Sequence, residues 1–197
     1  MVSDLLSASP FPSLVYKTKF NGELSAITKL ALDECLAIGN DHTDQQGGIS
    51  TYNVLKDAIL RPECAELNNF IIEQHKKVWN KWCLQDRPRY VSASWFNLLP
   101  SKAWVEEHDH SGIHMVVVVY LKNPVNGGNI QFKDPMNQIW AAYPRVDKQS
   151  YYDWKTVEVT TGDILFFPGF LQHRTEVNNS SEDRLVLTTN LCIDFFG

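Results

Sequence analysis

The residues Glu106-Glu107-His108-Asp109-His110 crowd metal-ligating side chains into five positions, and His173 and then Arg184 follow far downstream. Two imidazoles at i and i+2 lie on one side of an extended strand, because side chains alternate in direction along it. A third imidazole from a distant segment completes three donors that can cover one face of a metal ion. The other face stays open, which a catalytic metal needs and a structural one lacks. Nitrogen and carboxylate donors with open positions suit non-haem iron(II), among other divalent metals. Asp109 is the alternative third ligand, but it points to the opposite side of an undistorted strand and needs a bulge to turn inward. The other histidines, His42, His75 and His114, have no such pattern. Arg184 suits bidentate capture of a carboxylate in an interior, which a planar guanidinium does better than an ammonium. The alternative is a strand-edge charge paired with Glu182 or Asp183.

These groups need a frame that holds them, and the chain reads as helices first and strands later. Residues 11–20 predict a first strand. Leu24, Ile27, Ala31, Glu34, Cys35 and Ile38 follow helical spacing, and Gly39-Asn40 stops that helix. Asp41 to Ser50 reads as a polar linker. Pro62 fits the first turn of a second helix, with Glu63 and Glu66 near its positive end. Leu67, Phe70, Ile71, Val78 and Trp82 give that helix one apolar stripe, running to about Cys83. After Pro88 the period becomes alternating, with strands expected at 89–99, 114–122, 129–133, 156–160, 163–167, 172–177 and 184–194. Turn signals at Asn126-Gly127-Gly128, Thr161-Gly162-Asp163, Pro168-Gly169 and Asn178-Asn179 separate them. Many short strands so spaced predict a mainly β fold, a jelly roll or barrel, with the helices packed on one face.

The last strand shows this two-sidedness. Leu185, Leu187, Thr189, Leu191 and Ile193 point one way, towards the helices. Arg184, Val186, Thr188, Asn190 and Cys192 point the other way, into a partly polar interior suited to a ligand. His173 follows the turn at Pro168-Gly169, and the short gap to Arg184 predicts that the two stand on adjacent strands. The long connection from Trp140 to Trp154, rich in Trp and Tyr, reads as part of a substrate entrance or as a cover for the barrel end.

At 197 residues the chain is read as a single domain, with a supporting strand and helices in 1–88 and a jelly-roll core in 89–197. A net charge of -5 carries no footprint for nucleic acid. The longest apolar run, Met115 to Leu121, is too short to span a bilayer, and the N-terminus has no secretory pattern. Cys35, Cys64, Cys83 and Cys192 have no ligand spacing and read as buried thiols in a reducing, cytoplasmic setting. A homodimer through an edge strand or the N-terminal segment is compatible with this reading.

His108-x-His110, the phrase Gly162-Asp163-Ile164-Leu165-Phe166-Phe167-Pro168-Gly169-Phe170-Leu171-Gln172-His173, and Arg184 resemble the 2-oxoglutarate and iron(II)-dependent oxygenases. The chain is most similar to their small bacterial and phage-type group, distantly similar to prolyl hydroxylases. Ser94-Trp95-Phe96-Asn97, Tyr120 and Gly128-Asn129-Ile130-Gln131-Phe132-Lys133-Asp134-Pro135 also match, so the resemblance covers about residues 89–195. It implies a double-stranded β-helix, a cupin-like jelly roll with iron(II) at its mouth. It implies Arg184 on the distal carboxylate of the cosubstrate 2-oxoglutarate, with Tyr120 or Asn97 adding a hydrogen bond. Most members carry a carboxylate two residues after the first histidine. The closest group uses His-x-His, which favours His108, His110 and His173 as ligands. The implied reaction consumes O2, releases succinate and CO2, and hydroxylates a small molecule or a peptide, such as a prolyl residue. Two other functions keep the same fold: a ligand-binding jelly roll without catalysis, and a metal-dependent cupin enzyme that does not use 2-oxoglutarate.

Overall fold

The computed structural model describes residues 13–41, 44–82, 84, 87–136 and 154–194. Strand β1 (Tyr16–Lys19) precedes helix α1 (Ser25–Ile38). Two short strands, β2 (Gln45–Gln46) and β3 (Ile49–Ser50), follow. Single 3₁₀ turns at Ala58–Leu60 and Pro62–Cys64 lead into helix α2 (Ala65–Lys81). Strands β4 (Arg89–Leu99), β5 (Trp104–Val105), β6 (Met115–Lys122), β7 (Ile130–Lys133), β8 (Trp154–Val157), β9 (Asp163–Phe167), β10 (His173–Thr175) and β11 (Arg184–Ile193) complete the described elements.

Among the described residues the main sheet has six antiparallel strands in the order β1-β9-β6-β11-β4-β3, and a smaller sheet has the order β10-β7-β8. A third pair, β2 with β5, lies apart from these. This is a double-stranded β-helix with helices on one face, and strands from the N-terminal half are built into its main sheet.

The two faces of the main sheet have different neighbours. Met115, Val117, Val119, Ile164, Phe166, Leu185, Leu187 and Leu191 pack with Ile27 and Ala31 of α1 and Leu67 and Ile71 of α2. Val116, Val118, Tyr120, Leu165, Phe167 and Val186 face the smaller sheet and meet Ile130, Phe132 and Leu171. A central strand buried on both faces has no polar side to offer, and β6 therefore reads Met-Val-Val-Val-Val-Tyr-Leu-Lys. The alternation expected for β11 is observed: Leu185, Leu187, Leu191 and Ile193 lie on the helix side, and Arg184, Val186, Thr188 and Asn190 line the cavity between the sheets. Cys35, Cys64 and Cys192 are free and buried; burial pushes the Cys35 and Cys64 thiols up to about 12 and 11, which removes thiolate reactivity.

Four expectations need correction or limits. The 41–50 segment is more than a linker: β2 pairs with β5, β3 pairs with β4, and Asn40 bridges Ser50. Strand β8 lies two to three residues earlier than expected because β7 sets its register, with Lys133 opposite Trp154 and Ile130 opposite Val157. Thr160 instead turns the chain, its N–H donating to Asp163 Oδ2 at 2.7 Å. His173 and Arg184 are not on hydrogen-bonded neighbours, since β10 belongs to the smaller sheet and β11 to the main one. The connection after β10 crosses between sheets, and the two residues line one cavity from different sheets. Of the aromatic connection, Trp140, Tyr143, Tyr151 and Tyr152 lie outside the described residues; Trp154 begins β8 under the Arg174 guanidinium, 4.1 Å from the ring centre.

Leu187 is fully buried between the main sheet and the helices, whereas Leu36 of α1 is 66% exposed. Leu187→Ala should cost about 2–5 kcal/mol by loss of burial and cavity formation. Leu36→Ala should stay within about 0.5 kcal/mol. Urea denaturation of both variants measures the contrast.

Candidate metal and cosubstrate site

His108 enters the site on an extended segment after β5, and His173 opens β10. The two exchange backbone hydrogen bonds, His108 N–H to His173 O at 3.0 Å and His173 N–H to His108 O at 2.9 Å. His110 N–H donates to Gly169 O at 2.8 Å, which ties the same segment to the Pro168-Gly169 turn. That turn needs glycine, because a Cβ at 169 would run into Ile113 O and His110 O.

The backbone pairing gathers the imidazoles: one ring nitrogen from each of His108, His110 and His173 lies within 4.8 Å of the other two. All three Nδ1 atoms face acceptors, so each carries its proton there. His108 Nδ1–H donates to Glu106 O at 2.8 Å, His173 Nδ1–H to Leu171 O at 2.9 Å and His110 Nδ1–H to Asn190 Oδ1 at 2.7 Å. Every Nε2 lone pair is thereby left for a metal, the arrangement expected of ligating histidines. The donor set thus fits a divalent ion with open coordination positions. Asp109 takes no part in this cluster: it is exposed and accepts from Ser111 Oγ at 2.6 Å. Asp109 lines the same cavity, but its carboxylate is not among the converging donor atoms.

Burial keeps two of the rings, those of His110 and His173, neutral. It lowers His110 to about 4, against a smaller upward effect of the Asn190 hydrogen bond. His173, 4% exposed, is held well below the ordinary histidine value by burial and then by the neighbouring rings.

Arg184 lines the same cavity, at 0% exposure. Its Nη1 donates to Gly127 O at 2.7 Å and to Glu176 O at 3.4 Å, and its Nη2 to Thr175 Oγ1 at 2.8 Å. No carboxylate within 4 Å pairs with it among the described residues; Glu182, one of the expected surface partners, pairs with Lys122 at 2.9 Å instead. Burial lowers its pKa, opposed by Tyr120 and Glu176. Gly128, at φ +86°, allows this packing, since a Cβ there would stand 2.9 Å from Nη1. A buried guanidinium whose hydrogen bonds all go to neutral oxygens, with the Glu176 carboxylate acting on it only through space, is incompletely compensated, and an anionic ligand relieves that cost.

Tyr120 and Asn97 line the same cavity. Burial raises the Tyr120 phenol to about 12, with Arg184 opposing, so it remains a neutral donor. Asn97 is largely committed to the protein: its Oδ1 accepts from Gln45 Nε2 at 2.6 Å and Ser50 Oγ at 2.8 Å, and its Nδ2 donates to Thr188 Oγ1 at 3.2 Å. The cavity holds about 560 Å³. Trp95 and Asn190 also line it, Asn190 on the interior row expected of β11, and so do Thr175 and Tyr52, which were not singled out from sequence. Thr175 was readable, two residues after His173 on the same side of a strand.

The sequence pattern of a family described as "Putative 2OG-Fe(II) oxygenase" matches residues 93–190, a span that contains His108, His110, His173 and Arg184. The chain belongs to the 2-oxoglutarate- and iron(II)-dependent oxygenases. The oxygenase uses iron(II), with 2-oxoglutarate and O2 as cosubstrates. Its fold is shared with several solved structures. HygX from Streptomyces hygroscopicus, solved with nickel, 2-oxoglutarate and hygromycin B, is 13% identical with a TM-score of 0.62, over 94% of this chain and 85% of that one. A Pseudomonas putida prolyl-4-hydroxylase is 14% identical with a TM-score of 0.61, over 92% and 93%. The carbocyclase SnoK from nogalamycin biosynthesis is 15% identical with a TM-score of 0.60, over 90% and 79%. Comparison with curated protein sequences gives no match. No described helix is long and apolar enough to cross a membrane.

The neutral histidines give the oxygenase a pH dependence of known sign. Between about pH 6.5 and 4 the unfolded chain binds protons at residues 110 and 173 that the folded chain refuses. The metal-free protein should therefore be most stable above pH 6.5 and lose stability as pH falls towards 4. Urea midpoints at pH 7.5, 6.0 and 4.5 test this; a midpoint that rises on acidification contradicts it.

Proposed function

We propose that this oxygenase hydroxylates a small molecule or a peptidyl residue seated at the mouth of the cavity, with release of succinate and CO2. The observation that carries the reading is the fully buried Arg184, without a carboxylate partner among the described residues, in the same cavity as the three histidines. His108, His110 and His173 hold the metal through Nε2. When bound, iron(II) supplies the coupling of 2-oxoglutarate decarboxylation to oxidation of the substrate by O2, chemistry no side chain offers.

The protein's part is placement. Arg184 takes the distal carboxylate of 2-oxoglutarate, with its charge at full strength because water is excluded. Thr175 Oγ1 holds the guanidinium from the side, through the 2.8 Å bond from Nη2. Tyr120 donates its phenolic hydrogen to the same carboxylate, and Asn97 adds the amide hydrogen not spent on Thr188. A cavity of about 560 Å³ exceeds what 2-oxoglutarate fills, which leaves room for part of a second reactant beside Trp95 and Tyr52. Ile113 and Val118 in the lining keep that space partly apolar.

Anaerobic addition of iron(II) and 2-oxoglutarate should give the visible charge-transfer band of the chelate. In Arg184→Ala the apparent affinity for 2-oxoglutarate should fall by a factor of at least about 30, the scale of losing a buried charge pair. Tyr120→Phe should lose only about 2- to 10-fold, the scale of one hydrogen bond. Absence of the band in the unmodified protein, or equal affinity in Arg184→Ala, overturns the assignment.

A further inference from the structure

The three imidazoles are not held alike. His108 and His173 each donate Nδ1–H to the backbone carbonyl two residues earlier, Glu106 O and Leu171 O. Such a bond comes with the local extended conformation. For His110 the corresponding carbonyl is His108 O, and that oxygen already accepts from His173 N–H at 2.9 Å. His110 Nδ1 has no such bond to the carbonyl two residues earlier, which is engaged in the backbone pairing that gathers the cluster. His110 turns instead to a side chain 80 residues away, Asn190 Oδ1, at 2.7 Å.

Asn190 is built for this contact. It is 6% exposed and sits on β11, opposite Ala93 of β4 and Val116 of β6. It is on the cavity face of the strand that carries Arg184 at its start. From the adjacent strand β4, Trp95 stacks on the His110 ring, with centroids 5.8 Å apart and planes 22° from parallel. Two side chains of the main sheet thus reach across the cavity to seat a ring whose backbone is tied to the smaller sheet.

We propose that Asn190 is a positioning residue for the metal site: its amide oxygen fixes the His110 tautomer and aims Nε2 at the ion. This rests on the reading of His110 as a metal ligand. The amide supplies direction without adding a negative charge to a site whose donors are all neutral, and a carboxylate at 190 would supply both.

Cobalt(II), a redox-stable probe with visible ligand-field bands, gives the test without turnover. Its affinity is measured for the intact protein, for Asn190→Leu, which keeps the shape and removes the acceptor, and for Asn190→Asp, which keeps both. The same changes are made in a His110→Ala background, with circular dichroism and melting to establish folding. Asn190→Leu should weaken cobalt binding roughly 10- to 100-fold, the usual effect of losing a partner behind a ligating histidine. Asn190→Asp should bind at least as tightly as the intact protein. In the His110→Ala background Asn190→Leu should bring no further loss, because the two residues act through one bond. The proposal is overturned if Asn190→Leu binds within about twofold of the intact protein. It is equally overturned if Asn190→Asp is as weak as Asn190→Leu, or if the loss persists without His110, as a merely structural effect would. Should His110→Ala alone leave cobalt affinity and bands unchanged, the ligand assignment itself falls, and that outcome is distinct from the others.

Discussion

Strand β11 has to satisfy two environments that differ in polarity, and the alternation of side chains along it is the constraint on which the structure turns. One row, Leu185, Leu187 and Leu191, closes the core under the two helices. The other row, Arg184, Val186, Thr188 and Asn190, is the floor of the site. The rows cannot be exchanged, because a shift of one residue would bury the polar row under the helices and turn the leucines into the cavity. Pairing with β4 over the length of the strand and with β6 on its other side fixes that register.

The energetic tension of the site follows from this floor. A guanidinium and three imidazoles are placed among valines and phenylalanines, where each polar group must find a partner. The imidazoles meet the requirement by donating each Nδ1–H to an oxygen, and burial keeps those of His110 and His173 neutral. Arg184 meets it only in part: its Nη atoms reach neutral oxygens, its Nε has no hydrogen-bond partner among the described residues, and no described carboxylate lies within 4 Å to pair with it, Glu176 acting on it only from further away. Of all the groups in the cavity, it is the one that gains most from an anionic cosubstrate.

The histidines owe their convergence to main-chain pairing between two segments 65 residues apart, with His108 opposite His173. This pairing lies at the open edge of the smaller sheet, while Arg184 and Asn190 belong to the larger one. The proposed metal donors and the proposed cosubstrate anchor therefore come from different sheets. A cavity built in this way depends on the packing between sheets, through Phe132 and Phe167 beside His173, as much as on either sheet alone.

Much of this was legible in the residues. The ligand types, the i, i+2 spacing of His108 and His110 and the two faces of β11 are properties of a local repeat, and local repeats survive folding. The two helices and most strands were legible for the same reason. Other features depended on pairing across long separations. The short strands β2 and β3 have almost no pattern of their own and exist because β5 and β4 give them partners. The placing of His173 and Arg184 on opposing sheets, the lack of a carboxylate beside Arg184, and the choice of Asn190 as the anchor of His110 were decided by tertiary structure alone. The sequence determined which groups could do chemistry and which side of a strand each would take; packing between sheets decided which of them meet, because nothing in a local period specifies a partner 80 residues away.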